Sequence, residues 1–308
     1  MRSMLFVPGD RPERFDKALR SGADAVIFDL EDAVTVVSRP QARVHVATHL
    51  RDGARGVPCW VRINPVDSGE ALVDLGAIVA ARPDGIVLPK ARHLADLRRL
   101  DHWLEALEAA HGLRAGSIQV VALVTETAQA VLNGAEFAAP PARVVGYTWG
   151  AEDLAAEVGA SANRSADGEF EHLYRLARAS CLLMAAAAGV AAIDTTDVEF
   201  RDVAAVERRA RTARRDGFVG KLAIHPAQVA PIHAAFSPSS EELAWARRVV
   251  EALAQPSSAG AVAIDGRMID RPHLRQAERI LAAAGQGDTS RPGGDSPDFS
   301  DEKMGQSP

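Results

Sequence analysis

The sequence predicts a closed parallel (β/α)8 TIM barrel with a C-terminal helical extension, and three observations point there. Eight short apolar runs alternate with helical segments, and no second composition regime intervenes before about residue 230. The 308 residues exceed an average domain yet fit one such barrel, for which about 250 is usual. Polar residues gather at the same end of nearly every run: Arg11, Asp29 and Glu31, Arg62 and Asn64, Lys90, Glu126, Asp153, Asp194 and His225. In a parallel barrel that C-terminal end is the active face.

Met4 to Val7 reads as the first strand, broken by Pro8-Gly9, and Arg11, Arg14 and Lys17 follow at spacings of three along one face of an expected helix. Ala25 to Leu30 is the second and runs into Asp29-Leu30-Glu31-Asp32; Arg39 to Leu50 is then helical. Pro58 to Ile63 makes the third, ending at Arg62 and Asn64. Gly85 to Leu88 is the fourth, followed by Pro89-Lys90 and a helix from His93 to Ala110. The fifth and sixth, Val120 to Val124 and Val144 to Tyr147, have the uninterrupted apolar character of strands buried on both faces. A helix over about Glu169 to Ala188 leads to the seventh, Ala191 to Asp194. Asp202 to Arg215 is helical, and Gly220 to Ile224 is the eighth strand, with His225-Pro226 just past it.

The barrel is expected over residues 1–230 and the extension over 231–284. The extension holds a helix from Ser240 to Ala254, the segment Ala261 to Asp270, and a helix from Pro272 to Ala284 opened by its proline. Residues 285–308, rich in Gly, Ser, Pro and Asp, are expected to be disordered.

Acids and bases are interspersed at a net charge of −6, which excludes a general nucleic-acid binder and leaves any anionic ligand to a local cluster. Cys59 and Cys181 are isolated, with neither disulfide nor zinc spacing, so a reducing cytoplasm is the expected compartment. The longest apolar stretch, Cys181 to Ile193, is too short to span a bilayer, and no signal sequence precedes the first strand.

Glu126 and Asp153 follow neighbouring strands, so in one parallel sheet their carboxylates enter the same space, as a hard divalent cation with oxygen ligands requires. The alternative is that each caps the helix it precedes. Capping does not account for Arg62 or Lys90, because cations are unfavourable at helix N-termini.

Eight segments in order resemble the citrate lyase β-subunit-like branch of the HpcH/HpaI aldolase superfamily, across about residues 3 to 284. They are Leu-Phe-Val-Pro-Gly-Asp-Arg-Pro-Glu-Arg-Phe at 5–15, Phe-Asp-Leu-Glu-Asp-Ala-Val at 28–34, Val-Arg-Ile-Asn at 61–64 and Leu-Pro-Lys at 88–90. Glu-Thr-Ala at 126–128, Trp-Gly-Ala-Glu-Asp-Leu at 149–154, Lys-Leu-Ala-Ile-His-Pro-Ala-Gln at 221–228 and Gly-Arg-Met-Ile-Asp-Arg-Pro at 266–272 complete the set. The branch includes malyl-CoA, citramalyl-CoA and citryl-CoA lyases, and its fold is a (β/α)8 barrel.

The resemblance implies an enzyme that breaks or makes a carbon–carbon bond between an acyl-CoA and a 2-keto acid. Glu126 and Asp153 would hold Mg2+, with Mn2+ as a substitute; two carboxylates with substrate and water suit magnesium better than zinc. Glu31 and Asp32 would orient the metal's waters or else cap the next helix. Arg62 would clamp the keto-acid carboxylate with its bidentate fork, a role compatible with an ion pair to Glu31. Arg11, Arg14 and Lys17 would meet the CoA phosphates or form a solvated helix face. Lys90 and Lys221 are further candidate cations, and His225 reads as structural. Asp270, on an extension reaching a neighbouring subunit, would take part in proton transfer at the thioester α-carbon, or else cap the Pro272 helix. Such an arrangement needs a homo-oligomer, a trimer or hexamer. A 3-hydroxyacyl-CoA thioesterase and a citrate lyase β subunit working with an acyl carrier protein are the alternative functions. Two departures bear on substrate: the partly apolar Thr35-Val36-Val37-Ser38, where relatives tend to be polar, and the single arginine in Asn163 to Gly168.

Overall fold

A computed structural model of the chain describes residues 1–52, 55–254 and 261–287. Within them a closed barrel of eight parallel strands runs in chain order, β8 pairing back onto β1. The strands are β1 Ser3–Pro8, β2 Ala25–Asp29, β3 Cys59–Arg62, β4 Gly85–Leu88, β5 Gln119–Leu123, β6 Val144–Thr148, β7 Ala191–Asp194 and β8 Gly220–Ala223, each within one residue of its expected bounds. Around them lie α1 Phe15–Leu19, α2 Arg39–Asp52, α3 Ala71–Ile78, α4 Leu94–Ala110, α5 Ala128–Leu132, α6 Ala151–Val158, α7 His172–Ala188, α8 Val203–Asp216 and α9 Val229–Phe236. The helix expected to carry Arg11, Arg14 and Lys17 on one face is instead two short pieces, a 3-10 turn at Pro12–Arg14 and then α1. The three cations therefore do not form a single helical stripe.

Successive side chains on a strand point to opposite sides of the sheet, so each barrel strand feeds two cores. Met4, Ala25, Ile27, Trp60, Val87, Val121, Leu123, Ile193 and Leu222 fill the interior. Val26, Phe28, Val61, Ile86, Leu88, Val120 and Ala122 face the helices. This alternation places the first charges of the site. Asp29 follows Ala25 and Ile27 on the inner side of β2, Arg62 follows Trp60 on that of β3, and the two are in register. They close the interior at its C-terminal end, with the guanidinium 4.8 Å from the centre of the Phe6 ring on β1. At the other end Arg143 lies on Glu108 of α4, with two hydrogen bonds of 2.9 and 3.1 Å.

A first compact unit runs from Met1 to Phe236. The boundary expected at residue 230 falls inside α9, and the whole helix belongs with the barrel. A second unit begins at Ser237. It contains α10 Ser240–Leu253, a hairpin of β9 Ala261–Ile264 with β10 Arg267–Asp270, and α11 Arg271–Gly287. Its core is Ala246, Val249, Ile269 and Ala277. The hairpin turns at Asp265-Gly266, both at positive φ (50° and 73°), the conformation that a two-residue loop between twisted strands demands. An Asp-Gly pair is the sequence signal for that turn. Ser239 begins α10 with a capping box: its hydroxyl accepts from the Glu242 N–H at 3.1 Å, and the Glu242 carboxylate accepts from the Ser239 N–H at 2.7 Å. Of the tail expected to be disordered, residues 288–308 lie outside the described residues.

Gly85 faces the Trp60 ring inside the barrel, with no space for a β-carbon. Gly85→Ala is expected to lower the urea unfolding midpoint by overpacking, at a cost of about 1–3 kcal/mol. An unchanged midpoint would show that the Trp60 ring can move aside.

Candidate active site

The C-terminal end of the barrel brings together carboxylates from four connected elements. Gly9 starts the assembly, because its N–H donates to the Asp29 carbonyl at 2.8 Å and a β-carbon there would lie 2.6 Å from that oxygen. The loop after β1 is thus tied to the end of β2. Asp29 in turn organises the loop that follows it, accepting from the backbone N–H groups of Glu31 and Ala33 at 3.0 Å each. That turn directs Glu31, only 2% exposed, back over the barrel.

Arg62 binds Asp29 through two parallel hydrogen bonds, Nε to Oδ1 at 2.7 Å and Nη2 to Oδ2 at 2.6 Å. Its Nη1 lies 3.0 Å from Glu31 Oε2. The bidentate fork expected to seize a keto acid is therefore engaged by Asp29. Its Nε and both terminal nitrogens thus face these two carboxylates. The Glu31 ion pair is present, and Asp29, expected only as one of the polar residues at the strand ends and given no role, is the main partner. Its signal was available: in register with Arg62, on the same side of neighbouring strands.

Glu126 follows β5 and Asp153 lies in the first turn of α6 after β6. Neither side chain caps a helix. The α5 cap is Thr127, whose hydroxyl accepts from the Ala130 N–H at 3.1 Å, and α6 starts at Gly150 without a side-chain cap. Glu126 is 2% exposed and accepts from the Lys90 backbone N–H at 2.7 Å. Gly150 admits it, for a β-carbon at that position would stand 2.8 Å from its Cγ and Oε1. Asp153 lies 3.1 Å from the Lys90 ammonium. That same ammonium meets Glu31 in a short contact and Asp32 at 3.2 Å.

Five carboxylates, those of Asp29, Glu31, Asp32, Glu126 and Asp153, thus share two cations, Arg62 and Lys90. Negative charge is in excess, and burial sharpens its effect. Burial first, and then the Asp153 and Glu31 charges, push Glu126 up to about 8. Burial also raises Glu31 to about 7, against the pull of Arg62 and Lys90. At Asp32 burial raises the carboxyl, but Lys90 and Arg62 outweigh it and the net direction is down. Among the described residues no three His, Cys, Asp or Glu side chains converge on one point as a ready-made metal cage. Between Glu31 and Asp153 lies the Lys90 ammonium.

The other expected residues fall elsewhere. Arg11, Arg14 and Lys17 follow the C-terminal end of β1 and are exposed, with Arg11 3.8 Å from Asp10 and Arg14 4.0 Å from Glu13. Lys221 is buried away from the carboxylate cluster, donating to Asp194 at 2.9 Å and to the Thr195 carbonyl at 2.6 Å. Asp194 also accepts from the Trp149 indole at 2.8 Å, so this group ties β6, β7 and β8 together. His225 is structural, as expected: its Nδ1 accepts from the Ala227 N–H at 3.2 Å and its ring stacks on Phe200. Asp270 belongs to the second unit, where its carboxylate lies 2.6 Å from Nδ1 of His273. His273 was not anticipated; the spacing of three at a helix start is its only sequence signal.

The HpcH/HpaI aldolase/citrate lyase family matches residues 2–226 of this chain. The chain belongs to that family. A second match, to a carbon–carbon bond lyase family of the TIM-barrel fold, covers residues 171–286, and the chain is accordingly an enzyme of the carbon–carbon lyase type. A citrate lyase subunit beta-like protein of Mycobacterium tuberculosis is 39% identical over 282 residues, covering 92% of this chain and 95% of its own. A (3S)-malyl-CoA thioesterase of Cereibacter sphaeroides is 35% identical over 290 residues, covering 92% and 94%. The crystal structure of CitE from Mycobacterium tuberculosis in complex with magnesium, acetoacetate and coenzyme A is similar at a TM-score of 0.76 and 37% identity, covering 92% of this chain and 98% of that one. Among the described residues of this family member, no helix is long and apolar enough to cross a membrane.

Gly150→Ala is expected to push the Glu126 carboxylate from its place and to destabilise the fold by about 1–3 kcal/mol. Chemical unfolding measures the cost, and a crystal structure of the variant with Glu126 unmoved would contradict the expectation.

Proposed function

We propose that this chain is a Mg2+-dependent lyase that cleaves or forms a 3-hydroxyacyl-CoA, such as malyl-CoA, citramalyl-CoA or citryl-CoA, to or from an acyl-CoA and a 2-keto acid. The observation that carries this reading is the excess of carboxylate around the buried Glu126 and the half-buried Asp153, with Arg62 held beside it. Hard oxygen donors in negative excess suit a divalent cation. Gly150 leaves Glu126 the room to serve as one of them. Glu126 and Asp153 would hold the ion, and Glu31 and Asp32 would orient its waters. When bound, the ion supplies Lewis-acid stabilisation of charge on the keto oxygen.

The chain's own residues divide the remaining work. Arg62 is fixed by Asp29 and Glu31, so its remaining N–H groups meet the keto-acid carboxylate from a set direction. Arg11, Arg14 and Lys17, exposed after β1, meet the CoA phosphates as separate contacts. Asp270, carried by the C-terminal unit to a neighbouring subunit's site, handles the proton at the thioester α-carbon, and His273 orients its carboxylate. This arrangement makes the working enzyme a homo-oligomer, a trimer or hexamer, in the cytoplasm.

The Cereibacter sphaeroides relative favours a second reading, hydrolysis of the same class of thioester. A third, a citrate lyase β subunit that needs an acyl carrier protein, follows from the 34% identical citrate lyase subunit beta of Haemophilus influenzae, aligned over 93% of this chain.

Incubation of the purified protein and Mg2+ with malyl-CoA and citramalyl-CoA, with and without chelator, separates them by product mass. Acyl-CoA and keto acid, lost on chelation, are expected; free thiol without keto acid would replace the lyase by the thioesterase. Unreacted substrate throughout would direct the test to a carrier-bound citryl thioester. Glu126→Ala and Asp153→Ala are each expected to lower kcat/KM about a thousandfold, roughly 4 kcal/mol, with unchanged circular dichroism. Since Glu126 is raised to about 8, divalent-cation affinity should climb between pH 6 and 8 as the competing proton leaves. Calorimetric titration in buffers of different ionisation enthalpy checks this by the proton released on binding, and a pH-independent affinity would contradict it.

A further inference from the structure

Lys90 touches four of the site's carboxylates, those of Glu31, Asp32, Glu126 and Asp153. Its backbone N–H holds Glu126 at 2.7 Å, while its ammonium meets Glu31, Asp32 at 3.2 Å and Asp153 at 3.1 Å. These acids come from the loop after β2, the end of β5 and the start of α6, so a single side chain links three sections of the barrel mouth. Lys90 does this in a left-handed backbone conformation, φ 51°, which residues with a β-carbon adopt only where their surroundings impose it. The Glu126 carboxylate on its N–H is one such contact. Its side chain is 23% exposed, so its charge is only partly screened by solvent.

We propose that Lys90 is the resident counter-cation of the carboxylate cluster: its ammonium holds Asp153 in place, and a divalent cation that takes Asp153 must displace it toward Glu31 and Asp32. The proposal rests on the reading of Glu126 and Asp153 as metal ligands. The physical case is a competition for one carboxylate. An ammonium 3.1 Å from Asp153 neutralises the same oxygens that a divalent ion requires, and the two positive charges repel each other within the cluster. Glu31 and Asp32 give the displaced ammonium a place to remain, since it already contacts both. Lys90 thus keeps like charges assembled before the ion arrives, at a cost in affinity for the ion. It is a positioning residue, acting through the ligands it holds.

The test is a Mn2+ titration of chelator-stripped protein, followed by the electron paramagnetic resonance signal of free Mn2+, with thermal melts of the same samples. Lys90→Met is expected to bind Mn2+ about tenfold more tightly than the wild type, because the competing charge is gone. It should also melt at a lower temperature without metal and recover more of its melting temperature when Mn2+ is added. Lys90→Arg, which keeps the charge, should bind close to the wild type. Should Lys90→Met fail to fold, Lys90→Gly serves in its place, for glycine adopts the left-handed conformation without strain. Equal or weaker Mn2+ binding by the charge-removing variant would overturn the counter-cation role while leaving the metal site intact. Absence of Mn2+ binding by the wild type would overturn the metal-site reading, and this inference with it.

Discussion

Charge balance at the barrel mouth is the constraint on which the rest of the site depends. Asp29, Glu31, Asp32, Glu126 and Asp153 occupy a small, largely buried region with Arg62 and Lys90 as their cations. Such a group would repel itself apart unless held by neighbours with their own reasons to stay. Asp29 is held by register with Arg62, Glu31 by the turn that Asp29 caps, and Glu126 by a backbone amide. Asp32 and Asp153, by contrast, are held by the Lys90 ammonium. The remaining negative excess is what makes the region chemically useful.

The barrel supplies this order through its period of two. One side of each strand fills the interior with Ile27, Trp60, Val87, Val121 and Leu123, while the other packs on helices. Where the interior ends, that same side delivers Asp29 and Arg62. A second group of charges joins Asp194 at the end of β7 to Lys221 on β8 and Arg178 on α7 and serves packing: burial raises the Asp194 carboxyl, but Lys221, Arg178 and the Trp149 indole together bring it down. The contrast separates function from structure. Asp194 has partners enough to stay ionised, whereas Glu126 lacks them and is pushed up.

Membership of the HpcH/HpaI aldolase/citrate lyase family agrees with that division of labour. Relatives aligned over more than nine-tenths of this chain include a citrate lyase subunit beta and a (3S)-malyl-CoA thioesterase. The second unit carries Asp270 beside a core of its own. There the Asp270 and His273 side chains meet at a helix start, a short-range arrangement that owes nothing to the barrel.

Much of this was legible in the sequence. Uninterrupted apolar runs gave all eight strands to within one residue, since a strand buried on both faces leaves little freedom in composition. Clustering of Glu31, Arg62, Lys90, Glu126 and Asp153 also followed from their places at strand ends. The hairpin at Asp265-Gly266 carried a readable turn signal. Partnership was another matter. Sequence spacing left Glu126 and Asp153 as ligands or caps, and only the fold showed Thr127 doing the capping and Lys90 reaching both acids. Nor did spacing separate Lys221 from Lys90, although one is locked on Asp194 and the other bridges the site. The reason is range: strand and turn preferences are set by residues a few positions apart, whereas Lys90 meets acids 36 to 63 positions away in either direction only once the barrel has closed.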